Sequence, residues 1–508
     1  MQRLGGLDSA FLYFETPTMH MHVGGLMLID PSTMSRPYSF ADMRAYIDRR
    51  MGLVPAFRRK LATVPLNLAR PYWVEDPDFD LDYHLRRIAV PAPGGDRETA
   101  EIVGDILSRP LDRSRPLWEM WFVEGRADGL VAVVSKVHHS SIDGVTGANM
   151  MAELFDLEPD APPRQPIPDS WEPERRPGEL ELLGRAVYDV VSRPVGVVKL
   201  IPGTLLGVGR LLNRRTSGAP GMPAPFTAPR TSFNATLTPH RNVAFVNVSL
   251  DDVKRIKNAF DVKVNDVVIA VCSGALRRYL AERGELADNR SLIAAIPVSV
   301  HDRSEGKDGT TKVSFMFSSL ASDIADPGER LRQIAKTNEG AKVDHELVGA
   351  RLLQDWAEHA APNTFSLAAR LYSSLRLSER HPVVHNLVIS NVPGPPIPLY
   401  FNGAKLAGLY PLGPIMDGAG LNVTVLSNLD SVGFGFISCR ELMPGLWDLA
   451  EKVPEALAAL VEAAAKAEQA AEKKPERSGA KKAAKKAAKK TVKKAAAKRP
   501  SQPARQRA

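Results

Sequence analysis

The chain has 508 residues and a hydrophobic fraction of 44%, which excludes a disordered or fibrous polypeptide and supplies more than one packed core. Its net charge of +8 is unevenly placed: Lys473 to Ala508 holds fifteen Lys/Arg against Glu476 alone, so the preceding body is net acidic. Two cysteines, Cys272 and Cys439, exclude a disulfide scaffold and a cysteine-rich zinc site, and fit a reducing cytoplasm. The first residues form no apolar h-region, and no uncharged apolar run reaches the roughly 18 residues of a membrane-spanning helix.

In chain order, residues 1–160 read as a first domain. A short helix is expected around Asp8–Phe11, a strand at His22–Leu28 and a helix at Phe40–Arg50. Leu130–Val137 reads as a buried strand, and Val145–Phe155 has helical spacing. Residues 161–235 read as a linker. It begins with a Pro- and charge-rich stretch, Pro162–Pro177. Glu179–Arg215 then alternates apolar clusters with Arg185, Arg193, Lys199, Arg210 and Arg214, and Pro194 and Pro202 predict a break in any helix there. Residues 236–460 read as a second domain. Its expected strands are Val243–Val248, Leu292–Val298, Val313–Phe317 and Val383–Ser390, with an antiparallel pair at Leu421–Leu426 and Val432–Ile437. Helices are expected at Leu250–Ala259 and from Asn265, as N-cap, to about Tyr279. Residues 461–508 read as a Lys/Ala-rich disordered tail, because Lys-Lys-Ala-Ala units bury no core. Mixed strands and helices make the class α/β (α+β), in two halves.

The chemistry concentrates in His138-His139-Ser140-Ser141-Ile142-Asp143-Gly144, placed between a buried strand and a helix. A histidine titrating near neutrality can take the proton of an attacking alcohol and pass it to a leaving group. Asp143, four residues past His139, can orient an imidazole or pair with an arginine to fix the loop, and Gly144 suits the tight turn into a helix. The spacing matches no zincin motif, so no metal is expected. Neither Ser140 nor Ser141 sits in a Gly-x-Ser-x-Gly elbow, which argues against an acyl-enzyme route.

With these residues the chain resembles the bacterial wax ester synthase/acyl-CoA:diacylglycerol acyltransferase family, of the chloramphenicol acetyltransferase-like superfamily that includes condensation domains. The matching blocks are Leu7–Phe11 with Met21–Gly24, Arg115-Pro116-Leu117-Trp118, the His138–Gly144 motif, Val264-Asn265-Asp266-Val267-Val268, Pro297–Val300 and Ser390–Pro395. Two departures stand out: Ser140 replaces a small apolar residue, and Thr311 stands where many members carry Asn. The resemblance implies two chloramphenicol acetyltransferase-like halves with an active-site channel at their interface. It implies His139 as general base and then acid, His138 in support, and Asp143 mainly structural. Asn265, Asp266 and Trp118 become candidates for substrate contact. It also implies acyl-CoA as co-substrate with no resident cofactor, and diacylglycerol or a long-chain alcohol as acceptor. Acylation of another lipid alcohol, such as a polyketide diol or glycolipid, is the alternative within enzymes. A non-catalytic lipid-droplet or nucleoid-associated protein is the alternative outside them.

Because such substrates are nearly insoluble, a cytoplasmic protein bound peripherally to the inner membrane or to lipid droplets is expected, with Glu179–Arg215 as the contact. The basic tail suits anionic lipid or, without aromatics for stacking, non-specific nucleic acid.

Overall fold

A computed structural model describes residues 2–141, 153–162, 178–216, 220–299, 313–348, 356–359 and 361–472. Asp143, Gly144, Thr311, most of the Pro162–Pro177 stretch and the tail from Lys473 lie outside the described residues.

Among the described residues, strands occur in the order β1 (Gln2–Arg3), β2 (His22–Asp30), β3 (Arg59–Ala62), β4 (Tyr72–Glu75), β5 (Leu85–Ala89), β6 (Trp118–Glu124), β7 (Val131–His138), β8 (Arg241–Ser249), β9 (Ile293–Ser299), β10 (Val313–Ser319), β11 (Leu387–Val392), β12 (Tyr400–Phe401), β13 (Ala404–Leu412), β14 (Leu421–Asn428) and β15 (Ser431–Cys439). Two mixed six-stranded sheets result, ordered β12-β13-β2-β7-β6-β5 and β10-β9-β11-β14-β15-β8, with a small sheet β1-β4-β3 beside them. The expected antiparallel pair is β14–β15.

The two halves exchange chain. β13, from the second half, pairs with β2 from Gly24 to Asp30 in the first sheet. A division at residue 236 therefore separates the two halves in sequence and not in space. β15 lies directly on β13: a Cβ at Gly433 or Gly435 would run into the carbonyl oxygens of Leu409 or Pro411. The helix Asp96–Leu107 of the first half packs equally close on β8, where Gly104 faces the carbonyl of Arg241. One apolar cluster, holding Leu26, Val134, Phe245, Tyr410 and Ile437, runs across this junction. Burying such a surface continuously joins the halves into one rigid support for whatever lies between them.

Glu179–Thr216 is one helix of 38 residues and does not break at its prolines. A proline removes one helix hydrogen bond and crowds the preceding turn, which bends a helix without ending it when the ring faces solvent, as Pro202 does. The helix is a strut between halves. Leu182 packs with Val64 and Tyr72 of the first half, and Arg214 Nε donates to Asp344 Oδ1 of the second at 2.7 Å. The last helix, Leu446–Glu472, overruns the expected start of the tail: Ala464 is fully buried and Val461 packs on the second core.

Candidate active site

β7 ends at His138, and His139–Ser141 form a single 3-10 turn. Two backbone hydrogen bonds fix the path of the histidine pair. His138 N–H donates to the Leu117 carbonyl at 3.0 Å, and His139 N–H donates to the Met21 carbonyl at 2.8 Å. The Pro-Leu-Trp block and the Met-His-Val-Gly block thus act as the two rails on which the pair sits.

The His139 ring stacks on Phe11, with centroids 3.9 Å apart. Phe11 comes from the helix Gly6–Phe14, which explains the Leu7–Phe11 block in physical terms. That helix is itself wedged in place: Gly6 abuts the backbone of Ala357 and Glu358, and its N–H donates to Glu358 Oε1 at 2.7 Å. Burial lowers the His139 pKa to about 4, and the neighbouring His138 adds to the lowering. Nδ1 is buried with no hydrogen-bond partner among the described residues, so Nε2 is the nitrogen left to meet a substrate. The imidazole is therefore neutral at pH 7 and able to accept a proton at Nε2.

His138 is fully buried and serves a different purpose. Its Nδ1 accepts the Ser140 N–H at 3.1 Å and lies 2.7 Å from Ser140 Oγ. The departure at Ser140 thus adds a hydroxyl to the lock on the turn. It also commits that hydroxyl to His138, away from any nucleophilic use. Below the pair lies a polar cluster that the motifs did not reveal. His22 is the register partner of His138, and its ring meets the His138 ring edge-on at 6.1 Å. His20 stacks on His22 at 5.4 Å, and its Nε2 lies 3.0 Å from the Ser108 carbonyl. Burial lowers the pKa of His20 to about 4 and that of His22 well below its ordinary value. Lys136 is buried here too, donating to the Ile106 carbonyl at 3.0 Å. Glu15 faces His138 Nε2 at 3.5 Å and His22 Nε2 at 3.9 Å. The one visible signal for Glu15 was a lone acid in the otherwise uncharged run from Phe11 to His22.

The remaining predicted site residues divide. Trp118 is 2% exposed and lies in the first core, stacked between Phe57 at 4.3 Å and His84 at 4.5 Å, with its indole N–H donating to the Phe57 carbonyl. Packing thus holds both faces of its ring. Asp266 is also occupied structurally. It accepts the Lys263 N–H at 3.0 Å as the capping box of the helix Val264–Glu282, and the Asn338 amide at 2.7 Å. Lys263, and not Asn265, is the N-cap. Asn265 is left half-buried, with its carbonyl oxygen accepting from Asn391 Nδ2 at 3.3 Å. The Asn-Asp block and the Ser390–Pro395 block therefore meet in the second half. Among the described residues no group of three His, Cys, Asp or Glu can hold a metal ion.

Comparison with known proteins gives this geometry its context. The model of the wax ester synthase/diacylglycerol acyltransferase catalytic domain matches residues 4–268, and that of the family's C-terminal domain matches residues 310–461. A Mycobacterium tuberculosis H37Rv protein named as a diacylglycerol O-acyltransferase is 43% identical over 465 residues, 91% of each chain. The M. tuberculosis protein named diacylglycerol O-acyltransferase tgs2 is 36% identical over 90% of this chain and 98% of its own. Among solved structures, the wax ester synthase/diacylglycerol acyltransferase of Marinobacter aquaeolei VT8 superposes with a TM-score of 0.65 at 31% identity, covering 92% of this chain and all of that one. A condensation domain of the calcium-dependent antibiotic synthetase shares the fold, with a TM-score of 0.55 at 14% identity over 91% of this chain and 97% of its own. With both family models matched in order and relatives aligned along nearly their full length, the chain belongs to the wax ester synthase/diacylglycerol acyltransferase family.

Proposed function

We propose that this protein transfers a long-chain acyl group from acyl-CoA to the hydroxyl of diacylglycerol, giving triacylglycerol, and acts on long-chain alcohols to give wax esters as a second activity. The observation that carries the reading is His139: a neutral imidazole on a rigid turn, with its outer nitrogen free of hydrogen bonds to the described residues. In the reaction Nε2 takes the alcohol proton as the oxygen attacks the thioester carbonyl. The tetrahedral intermediate then expels the CoA thiolate, and the imidazolium returns the proton to it. With Ser140 committed to His138, the transfer is direct, from thioester to alcohol in one ternary complex. Purified protein given palmitoyl-CoA with diacylglycerol, hexadecanol or water is expected to form triacylglycerol fastest, then wax ester, with little free acid. Palmitate release without either ester would overturn the reading.

The same reading places the protein at a lipid surface, bound peripherally. Val198, Ile201, Leu205 and Leu206 of the long helix are exposed, as are Leu367, Leu371 and Leu375 in and after the helix Pro362–Ser374. Trp356 donates to Thr204 Oγ1 of the long helix at 3.1 Å. Exposed Lys199 and Arg210 flank the apolar side chains, a combination suited to an anionic interface. Among the described residues no helix is long and apolar enough to cross a membrane. Replacing Val198, Leu205 and Leu206 together by Glu is expected to abolish co-flotation with phosphatidylglycerol-containing vesicles while circular dichroism stays unchanged. Undiminished flotation would sink the assignment.

A further inference from the structure

We propose that Glu15 is a positioning residue for the base: it fixes the tautomer of His138, and through His138 the turn that presents His139. The proposal rests on His139 as the base.

A carboxylate almost excluded from water is costly unless paired and hydrogen-bonded. The Glu15 side chain is only 9% exposed, yet it is shared among groups that do not all need it. Arg113 donates through Nε to Oε2 at 3.0 Å and also through its terminal nitrogen, and Arg113 NH2 reaches the Leu12 carbonyl at 2.9 Å. The same Oε2 faces His138 Nε2, and Oε1 faces His22 Nε2. Burial by itself would raise the Glu15 pKa, but the approach of His138 and the charge of Arg113 hold it down to about 2, so the group is an anion at neutral pH.

An anion at that place decides a tautomer. The Ser140 N–H can only donate, and it points at His138 Nδ1. Nδ1 must therefore be unprotonated, and the ring proton sits on Nε2, the nitrogen that faces Glu15. The carboxylate stabilises this form and opposes the other. In the other tautomer, Nδ1–H would confront the Ser140 N–H, and the turn His139–Ser141 would lose the bond that closes it. Glu15 also ends the helix that holds Phe11 against the His139 ring. One side chain thus anchors both supports of the base, its turn and its stacking partner.

The test is Glu15→Gln in the full chain, which keeps the size and one acceptor and removes the charge. With palmitoyl-CoA and hexadecanol, kcat is expected to fall roughly 10- to 100-fold, the range produced by misplacing a reacting group by about 1 Å. Both KM values should move by less than about twofold, because ground-state binding is not involved. In nitrogen-15 spectra the His138 ring should lose its pure Nε2-protonated signature. Combined with His139→Ala, the substitution should add less than about twofold, since it acts through the residue already removed. If Glu15→Gln fails to fold, Arg113→Met at a half-exposed position carries the same test, with a smaller loss of kcat and the same spectral change expected. An unchanged kcat with an unchanged His138 spectrum overturns the proposal, and so does a loss that multiplies in full with that of His139→Ala. Should His139→Ala itself stay active, the base assignment fails separately, and the spectrum still reports whether Glu15 sets the His138 tautomer.

Discussion

His139→Ala is expected to lose about 100- to 10,000-fold in kcat, the usual contribution of a positioned general base, while its thermal unfolding stays close to that of the parent. The expectation follows from where the imidazole sits. Its stacking on Phe11 is the only ring contact among the described residues, and the fold's cores do not include it. The backbone bond to Met21 does not depend on the side chain. Truncation therefore removes the proton acceptor and leaves the turn closed by His138 and Ser140. KM for both substrates should change little, since the group acts on the transition state. The pH profile supplies a second check. Burial depresses the His139 pKa from 6.5 to about 4, so the base stays unprotonated as pH falls below 6.5, and the acid limb of wild-type kcat/KM should lie below that value. His139→Ala should lose that limb from its residual rate. A variant with near-parental turnover, or a parental acid limb that persists in it, would remove His139 from the mechanism.

The paired-histidine motif was legible in sequence because it is local: an apolar strand, two histidines and a turn lie within a dozen residues. Elements with a clean period were legible for the same reason, as in β7, β14 and the helix Phe40–Arg50. What escaped depends on distant pairing. Nothing near His138 announces Glu15, which lies far back in the chain and is brought beneath it by the pairing of β2 with β7. β13 sits between a Pro-rich run and a Gly-containing turn, and its role is set by a strand nearly four hundred residues earlier. At the second helix N-terminus, Asn265 is a residue type that caps well, but Asp266 one position later closes the box on Lys263. The alanines after residue 460 lacked a bulky periodic face, yet Ala464 is buried because a helix of small side chains can approach its neighbour closely. Tertiary contact decided the place of Glu15, β13 and Ala464, whereas at the helix N-terminus a neighbouring residue, Asp266, displaced the cap expected at Asn265.

Trp118→Ala is expected to destabilise the protein by about 3–5 kcal/mol, the usual cost of emptying a large aromatic site in a core, and this sets a packing role apart from substrate contact. The loss has three identifiable parts. The side chain, 2% exposed, vacates a slot between the rings of Phe57 and His84. The Phe57 carbonyl loses the indole N–H that satisfies it. His84, whose Nδ1 lies 2.7 Å from the Trp118 carbonyl, loses the ring that it stacks against. Trp118→Phe keeps the stacking and loses the hydrogen bond, so it should cost only about 1 kcal/mol by the same reasoning. Urea denaturation of both variants checks the order, and kinetics on the Phe variant check the role. If Trp118 lined the channel, that variant would raise KM for acyl-CoA or alcohol with stability intact. A raised KM in a fully stable variant would return Trp118 to the substrate. As a core residue, Trp118 acts on the chemistry at one remove. It opens β6 opposite Val137 of β7, and the residue before it, Leu117, gives the carbonyl that holds the His138 backbone. Loosening Trp118 should therefore lower kcat together with stability, by slackening the rail on which the histidine pair is carried.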